Sequence, residues 1–206
     1  MKKISIICVL AATCGLANAI TVNAPSSLTG VNALSGESAY AWGIPISLAS
    51  GQSISAASLV FNNVTLTAAN SSGHGVLYSD LLKSSLTGVH TYTDNDQSGD
   101  YFTGAYSSAN LVSLGSKYFA SVGTTLSWTV TFNSAQLQAL NQFLVNGIFD
   151  LGFDPDCHYT VGSICFNYTT TPVSTPDTAT TVYLLGLGLL AVEVARRKFV
   201  LAQVRK

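Results

Sequence analysis

The chain has 206 residues, of which 48% are hydrophobic and only 9% charged, with a formal net charge of −1. That near-neutrality averages unlike parts: seven of the nine Lys and Arg lie in the first three and last eleven positions, and residues 20–170 hold two lysines, Lys83 and Lys117, against eight acids. Phosphate neutralisation needs clustered cations, so the composition disfavours a nucleic-acid partner, while the roughly 150 residues between the ends suffice for one domain with its own core.

The N-terminus reads as a secretory signal over 1–19. Lys2 and Lys3 precede an apolar run from Ile4 to Leu16, and Ala17-Asn18-Ala19 supplies a small-x-small cleavage site, so the mature chain is expected to begin at Ile20. Cys8 and Cys14 would leave with the peptide, and Cys157 and Cys165 would remain.

Residues 20–168 read as one all-β domain, a jelly-roll-like antiparallel β-sandwich with one short helix. In chain order, strands are expected at Tyr40 to Leu48, at Ala57 to Phe61, and again at Val64 and Leu66, where the apolar parity switches across Asn62-Asn63 and asks for a turn or bulge. Further strands fall at Gly75 to Tyr78, Tyr118 to Val122, Thr125 to Phe132, Ile148 to Phe153 and Ile164 to Tyr168. The clearest is Thr125 to Phe132, where Leu126, Trp128, Val130 and Phe132 alternate with hydroxyl residues. The expected helix is Ser134 to Val145, with Asn133 or Ser134 as N-cap, Leu137, Leu140, Phe143 and Leu144 on one stripe, and Gly147 beyond its end. Trp42, Trp128, Phe143, Phe149 and Phe153 are the expected core aromatics.

Two acidic clusters carry the candidate chemistry. Asp154-Pro155-Asp156 would project two carboxylates to one side of extended chain, and Asp94-Asn95-Asp96-Gln97-Ser98-Gly99-Asp100 offers oxygens at spacings of two and four. Either suits a structural calcium; an Asp-Pro turn and a solvated loop are the plainer readings, and otherwise no cofactor is expected. Pro155 places its segment at an edge, bulge or turn. Cys157 and Cys165, eight apart around Val161-Gly162-Ser163, suggest a hairpin disulfide. No nucleophile elbow, zinc-protease motif or phosphate loop is present, and a Ser–His158–Asp triad assembled from so many serines carries no information. The expectation is therefore a non-enzyme.

The C-terminal end reads as a Thr/Pro-rich stalk and motif (169–178), an apolar transmembrane helix (179–195) and a basic cytoplasmic tail (196–206). The span is short of the ~30 Å of a bilayer core, and Arg196, Arg197 and Lys198 orient it with the ectodomain outside. Thr175-Pro176-Asp177, then Leu184-Leu185-Gly186-Leu187-Gly188-Leu189-Leu190-Ala191, then Arg196-Arg197-Lys198 together resemble the PEP-CTERM sorting signal of Gram-negative bacteria in its Pro-Asp form. The resemblance is confined to this tail. It implies recognition by an exosortase-type transpeptidase, cleavage near Pro176-Asp177 and delivery to the cell surface or matrix; plain single-span anchoring is the rival.

The function expected is a structural or adhesive surface protein of an exopolysaccharide or biofilm matrix. The alternatives are a calcium-assisted carbohydrate-binding module stacking sugars on Tyr92, Tyr101, Tyr106 or Trp42, and a secreted glycoside hydrolase.

Overall fold

The computed structural model describes residues 18–69, 75–94, 99–144, 147–173, 185–187 and 189. Ten strands and two helices run β1 (Asn18–Asn23), β2 (Gly30–Leu34), β3 (Ser38–Pro45), β4 (Gln52–Ala68), β5 (Gly75–Leu82), β6 (Gly88–Thr93), α1 (Tyr101–Ala105), β7 (Leu111–Phe119), β8 (Thr125–Thr131), α2 (Ser134–Phe143), β9 (Ile148–Pro155) and β10 (His158–Pro172), with a 3-10 turn at Ser26–Leu28. They form two five-stranded sheets. Sheet I has the order β1-β10-β4-β8, with β2 pairing β10 as well, and sheet II the order β6-β3-β9-β5-β7. Every strand pairing whose register is described is antiparallel. The all-β sandwich is thus observed.

Alternation explains the two layers. In sheet I, Leu59, Phe61, Val64 and Leu66 of β4 and Tyr159, Val161, Ile164 and Phe166 of β10 point inward; in sheet II, Trp42 and Ile44 of β3 and Phe149, Leu151 and Phe153 of β9 meet them in one core. Phe61 stacks on Trp128 at 5.0 Å and meets Phe153 edge-on at 5.4 Å, which joins the sheets through aromatic contact. Trp128 is half-buried; the other four expected core aromatics are buried.

The parity switch at Asn62-Asn63 is a bulge inside one 17-residue strand. The β4–β8 register shifts between Phe61 and Val64, and Asn63 takes φ 50°. On β10, Gly162 lies against this bulge, where a Cβ would come within 2.9 Å of the Asn62 carbonyl oxygen. Val161-Gly162-Ser163 therefore accommodates a neighbour's bulge and does not turn. This overturns the expected disulfide: no bond joins the two cysteines, Cys157 just before β10 and Cys165 within it. Eight steps of extended chain separate them by roughly 26 Å, against the ~7 Å limit between bridged Cα atoms.

Other boundaries move for similar reasons. The strand expected at Tyr118 to Val122 is β7, which ends at Phe119 because Ser121, Val122 and Gly123 turn the chain into β8. β10 continues through Thr169, Thr170 and Thr171 to Pro172, with Thr169 paired to Ala19 and Thr170 to Asn18, so those threonines are sheet and not stalk. Pro155 closes β9, a central strand, not an edge. Asp156 N–H donates to the Val76 carbonyl at 2.9 Å, so the proline turns its missing donor toward β3, whose pairing with β9 has already ended at Phe153.

Helix α2 starts as expected. Asn133 and Gln136 form a reciprocal capping box at 3.0 Å each way, and the Asn141 amide grips both backbone groups of Ile54 at 2.9 Å. Ala139, Leu140 and Phe143 are its buried face.

The chain divides into two units, residues 1–171 and 172–206. Ala17, the motif Thr175-Pro176-Asp177 and the cluster Arg196, Arg197 and Lys198 lie outside the described residues, as does most of the expected span; Ala19 is described, in β1. Leu185, Gly186, Leu187 and Leu189 are helical, and among the described residues no helix is long and apolar enough to cross a membrane.

Candidate functional site

The chemistry gathers on the outer face of sheet II. Ala39 and Ala41 of β3, Leu82 of β5 and Phe102 of α1 form a second, smaller core there, packed by Tyr92, Tyr101, Tyr106 and Leu111. The connection from β6 through α1 to β7 folds over the sheet, and Phe102 is its plug. Gly152 makes the plug possible, since a Cβ at that position would sit 2.9 Å from the Phe102 ring. Tyr92 stacks on Tyr101 at 5.8 Å, and Phe102 meets Tyr101 at 5.3 Å and Tyr106 at 5.9 Å. Three of the four aromatics expected to stack sugars thus stand together, half-buried. Trp42, the fourth, is only 3% exposed on the opposite side of β3 and is removed from that role.

Flanking Phe102 along β9, on the same face as Gly152, stand Asp150 and Asp154, both fully buried. Asp154 Oδ2 accepts the Tyr101 N–H at 2.7 Å, and Asp100 caps α1 by accepting Phe102 N–H at 3.0 Å and the Thr103 hydroxyl at 2.8 Å. Asp94 is buried at the end of β6, where its N–H donates to the Glu37 carbonyl at 3.0 Å, and Asp156 is buried in the turn after β9. A shallow cleft of about 380 Å³ runs along Asp94, Gly99, Asp100, Tyr101, Gly104 and Ala105.

Asp80 of β5 was not flagged as a site by sequence, and Asp150 only as a residue that could complete a calcium shell with Asp154 and Asp156, yet the two are as deeply buried as Asp154. No oxygen of Asp80 or Asp150 meets a donor in hydrogen-bond geometry, although the Ser113 and Ser84 hydroxyls lie close enough to temper them. Burial, first, and the Asp100 carboxylate, second, push Asp80 up to about 8; burial alone pushes Asp150 up to about 6 against the pull of Ser84 and His90. Asp154 is pushed up to about 7 by burial, despite the Tyr101 N–H. Burial and Tyr92 push the Tyr106 hydroxyl up to about 12. Asp80 had one legible signal, an acid inside the apolar run Val76-Leu-Tyr-Ser-Asp-Leu-Leu82.

Asp94, Asp100, Asp154 and Asp156 surround one region, but among the described residues no three acids, imidazoles or thiols converge as a metal shell; Asp96 lies outside those residues. His90 directs Nε2 to the Thr87 carbonyl at 3.1 Å, and Ser84 Oγ accepts the Leu86 N–H at 3.2 Å, so the hydroxyl and the imidazole are engaged with backbone and not with each other. Cys165 donates to Asn23 Oδ1 at 3.2 Å.

Sheet I is chemically the opposite. Its five strands contain no Asp, Glu, Lys or Arg. Its outward side chains are mainly hydroxyls and amides that bond across strands: Thr21 to Asn167 at 2.7 Å, Asn62 to Ser163 at 3.0 Å, Thr65 with Thr125 at 2.7 Å. No family model matches the chain, and comparison with curated proteins finds no match.

Proposed function

We propose that the chain is an exported, envelope-sorted, non-enzymatic surface or extracellular-matrix protein whose sandwich adheres to polysaccharide. The observation that carries this reading is the outer face of sheet I, broad, free of Asp, Glu, Lys and Arg, and set with hydroxyls and amides at the spacing of a pleated sheet. Such a face exchanges hydrogen bonds with sugar hydroxyls without desolvating charge. The jelly-roll reading is supported by the strand order: six of the nine connections between successive strands cross from one sheet to the other, with β10 entering beside β2 and β4, and β9 between β3 and β5. Export and sorting rest on the lysine-led apolar start and on Thr175-Pro176-Asp177 ahead of the apolar tail and Arg196-Arg197-Lys198.

Retention on neutral exopolysaccharide tests adhesion. The native protein should be retarded, and Ser58→Glu with Thr129→Glu should release it; equal retention of the variant removes sheet I from the role. Sorting is tested by mass: surface material carrying an intact C-terminus decides for plain anchoring. A second reading, a carbohydrate-binding module, is favoured by the gathering of Tyr92, Tyr101 and Tyr106. It requires glycan-array binding that Tyr101→Ala and Tyr106→Ala abolish while the sheet I variant does not.

A further inference from the structure

β8 ends sheet I, and among the described residues no strand pairs with its outer edge. The margin of sheet II on β7 is guarded: it carries Lys117, a bulge between Ser113 and Gly115, and a Ser113 carbonyl already taken by the Gln136 amide of α2 at 3.0 Å. β8 has none of these devices. Thr125-Leu-Ser-Trp-Thr-Val-Thr131 holds no charge, proline or glycine, and the bulge it faces lies in β4. Its backbone groups alternate in direction. Phe132 N–H donates to the Ala57 carbonyl at 3.0 Å and Leu66 N–H to the Thr124 carbonyl at 3.1 Å, so the even-numbered residues address β4. The N–H and C=O of Thr125, Ser127, Thr129 and Thr131 therefore point to the open edge.

We propose that this edge pairs with the same edge of a second copy, antiparallel about a two-fold axis at Trp128, so that sheet I runs on through both copies. The strand reads nearly alike in both directions from Trp128: Ser127 matches Thr129, Leu126 matches Val130, and Thr125 matches Thr131. In that register Ser127 lies opposite the partner's Thr129 and Thr125 opposite the partner's Thr131. Each such pair exchanges two backbone hydrogen bonds, which satisfies every open N–H and C=O of the strand. On the outer face hydroxyl meets hydroxyl, and on the inner face Leu126 meets the partner's Val130. Trp128 meets its own copy at a position without backbone hydrogen bonds, where opposed side chains come closest.

A second copy is the occupant because the strand complements itself and no charge on either edge opposes the approach. Leu126 and Trp128 face inward yet stay half-buried, and the partner strand covers what they still expose. The strip of contact is about 24 Å long and one sheet thick, short of the ~1,200 Å² at which standard interfaces begin, so the pairing is weak and reversible. It uses the margin of sheet I and leaves the outer face open, and so it stands whether or not that face binds polysaccharide.

Sedimentation equilibrium of the full chain in density-matched detergent micelles tests the pairing. The native chain should dimerise with a Kd on the order of 10–100 µM. Ser127→Lys with Thr129→Lys sets like charges opposite each other on both sides of the two-fold and should weaken dimerisation at least about tenfold. Ser127→Lys with Thr129→Glu sets opposite charges at the same places and should return it to the native value or tighter. Both positions are exposed, and recovery in the second variant shows that the first loses its partner and not its fold. A native chain still monomeric at about 300 µM would overturn the proposal. So would two double variants that behave alike, which would place any association in the apolar tail or on another surface.

Discussion

Sheets I and II are built from equal numbers of strands around a shared core, yet their outer faces solve opposite problems. Sheet I satisfies its outward polar groups laterally, hydroxyl to hydroxyl across neighbouring strands, and needs nothing on top of it. Sheet II carries small and acidic residues outward and needs a cover, because Ala39, Ala41, Gly152 and Leu82 leave an apolar floor between Asp150 and Asp154. The comparison teaches that outward polarity and outward stability are separate matters: the uncharged face is the self-sufficient one.

The strongest way to break that contrast is to remove the plug. Phe102→Ala should destabilise the domain by about 3–4 kcal/mol, read from urea unfolding, since a fully buried ring leaves a cavity against Gly152. A loss below about 1 kcal/mol would mean that the floor of sheet II does not depend on its cover.

Next in size is the pH dependence of sheet II. Asp80, Asp154 and Asp150 stand at about 8, 7 and 6 in the fold, above the ordinary 3.8, so the folded chain holds protons the unfolded chain has released. Stability should be fullest near pH 4, fall as pH rises through 6 and 7, and reach its floor above about 8, the reverse of a salt-bridged aspartate. Asp80→Asn should recover on the order of 2 kcal/mol at pH 9 and little at pH 4. Stability that climbs between pH 5 and pH 9 would contradict the assignment of all three.

On sheet I the expected effects are small. Thr65→Val removes one partner of the Thr65–Thr125 hydroxyl pair at an exposed site and should shift unfolding by no more than about 0.5 kcal/mol. Smallest of all, reducing agent should leave the melting temperature unchanged, since Cys157 and Cys165 are unlinked. A drop on reduction would require both cysteines to leave their places beside and within β10.

Strict alternation over Leu126, Trp128 and Val130 made β8 legible to within a residue, and Asn133-Ser134 ahead of an apolar stripe disclosed the start of α2. Gly162-Ser163 misled because glycine and serine serve a bulge's neighbour as readily as a turn, and only the pairing of β10 with β4 distinguishes them. The acidic cluster was half legible. Asp94, Asp100, Asp154 and Asp156 were visible as short-range spacings, but Asp80 joins them only because β5 pairs with β9, with Asp80 opposite Gly152 and Tyr78 opposite Asp154. Phe102, one aromatic among many in sequence, acquires its role from the missing side chain at Gly152, fifty residues on.

The strands synthesised last, β9 and β10, both lie in the interior of their sheets. Until they emerge, β1 and β2 have no edge to pair with, β3 and β5 are not neighbours, and the core consists of open faces. Closure of the sandwich must then wait for these last two strands, although β3–β6, β4–β8 and β5–β7 can pair without them. Under the export proposed above, that delay is useful: the leading two-thirds cannot close the sandwich before β9 and β10 arrive.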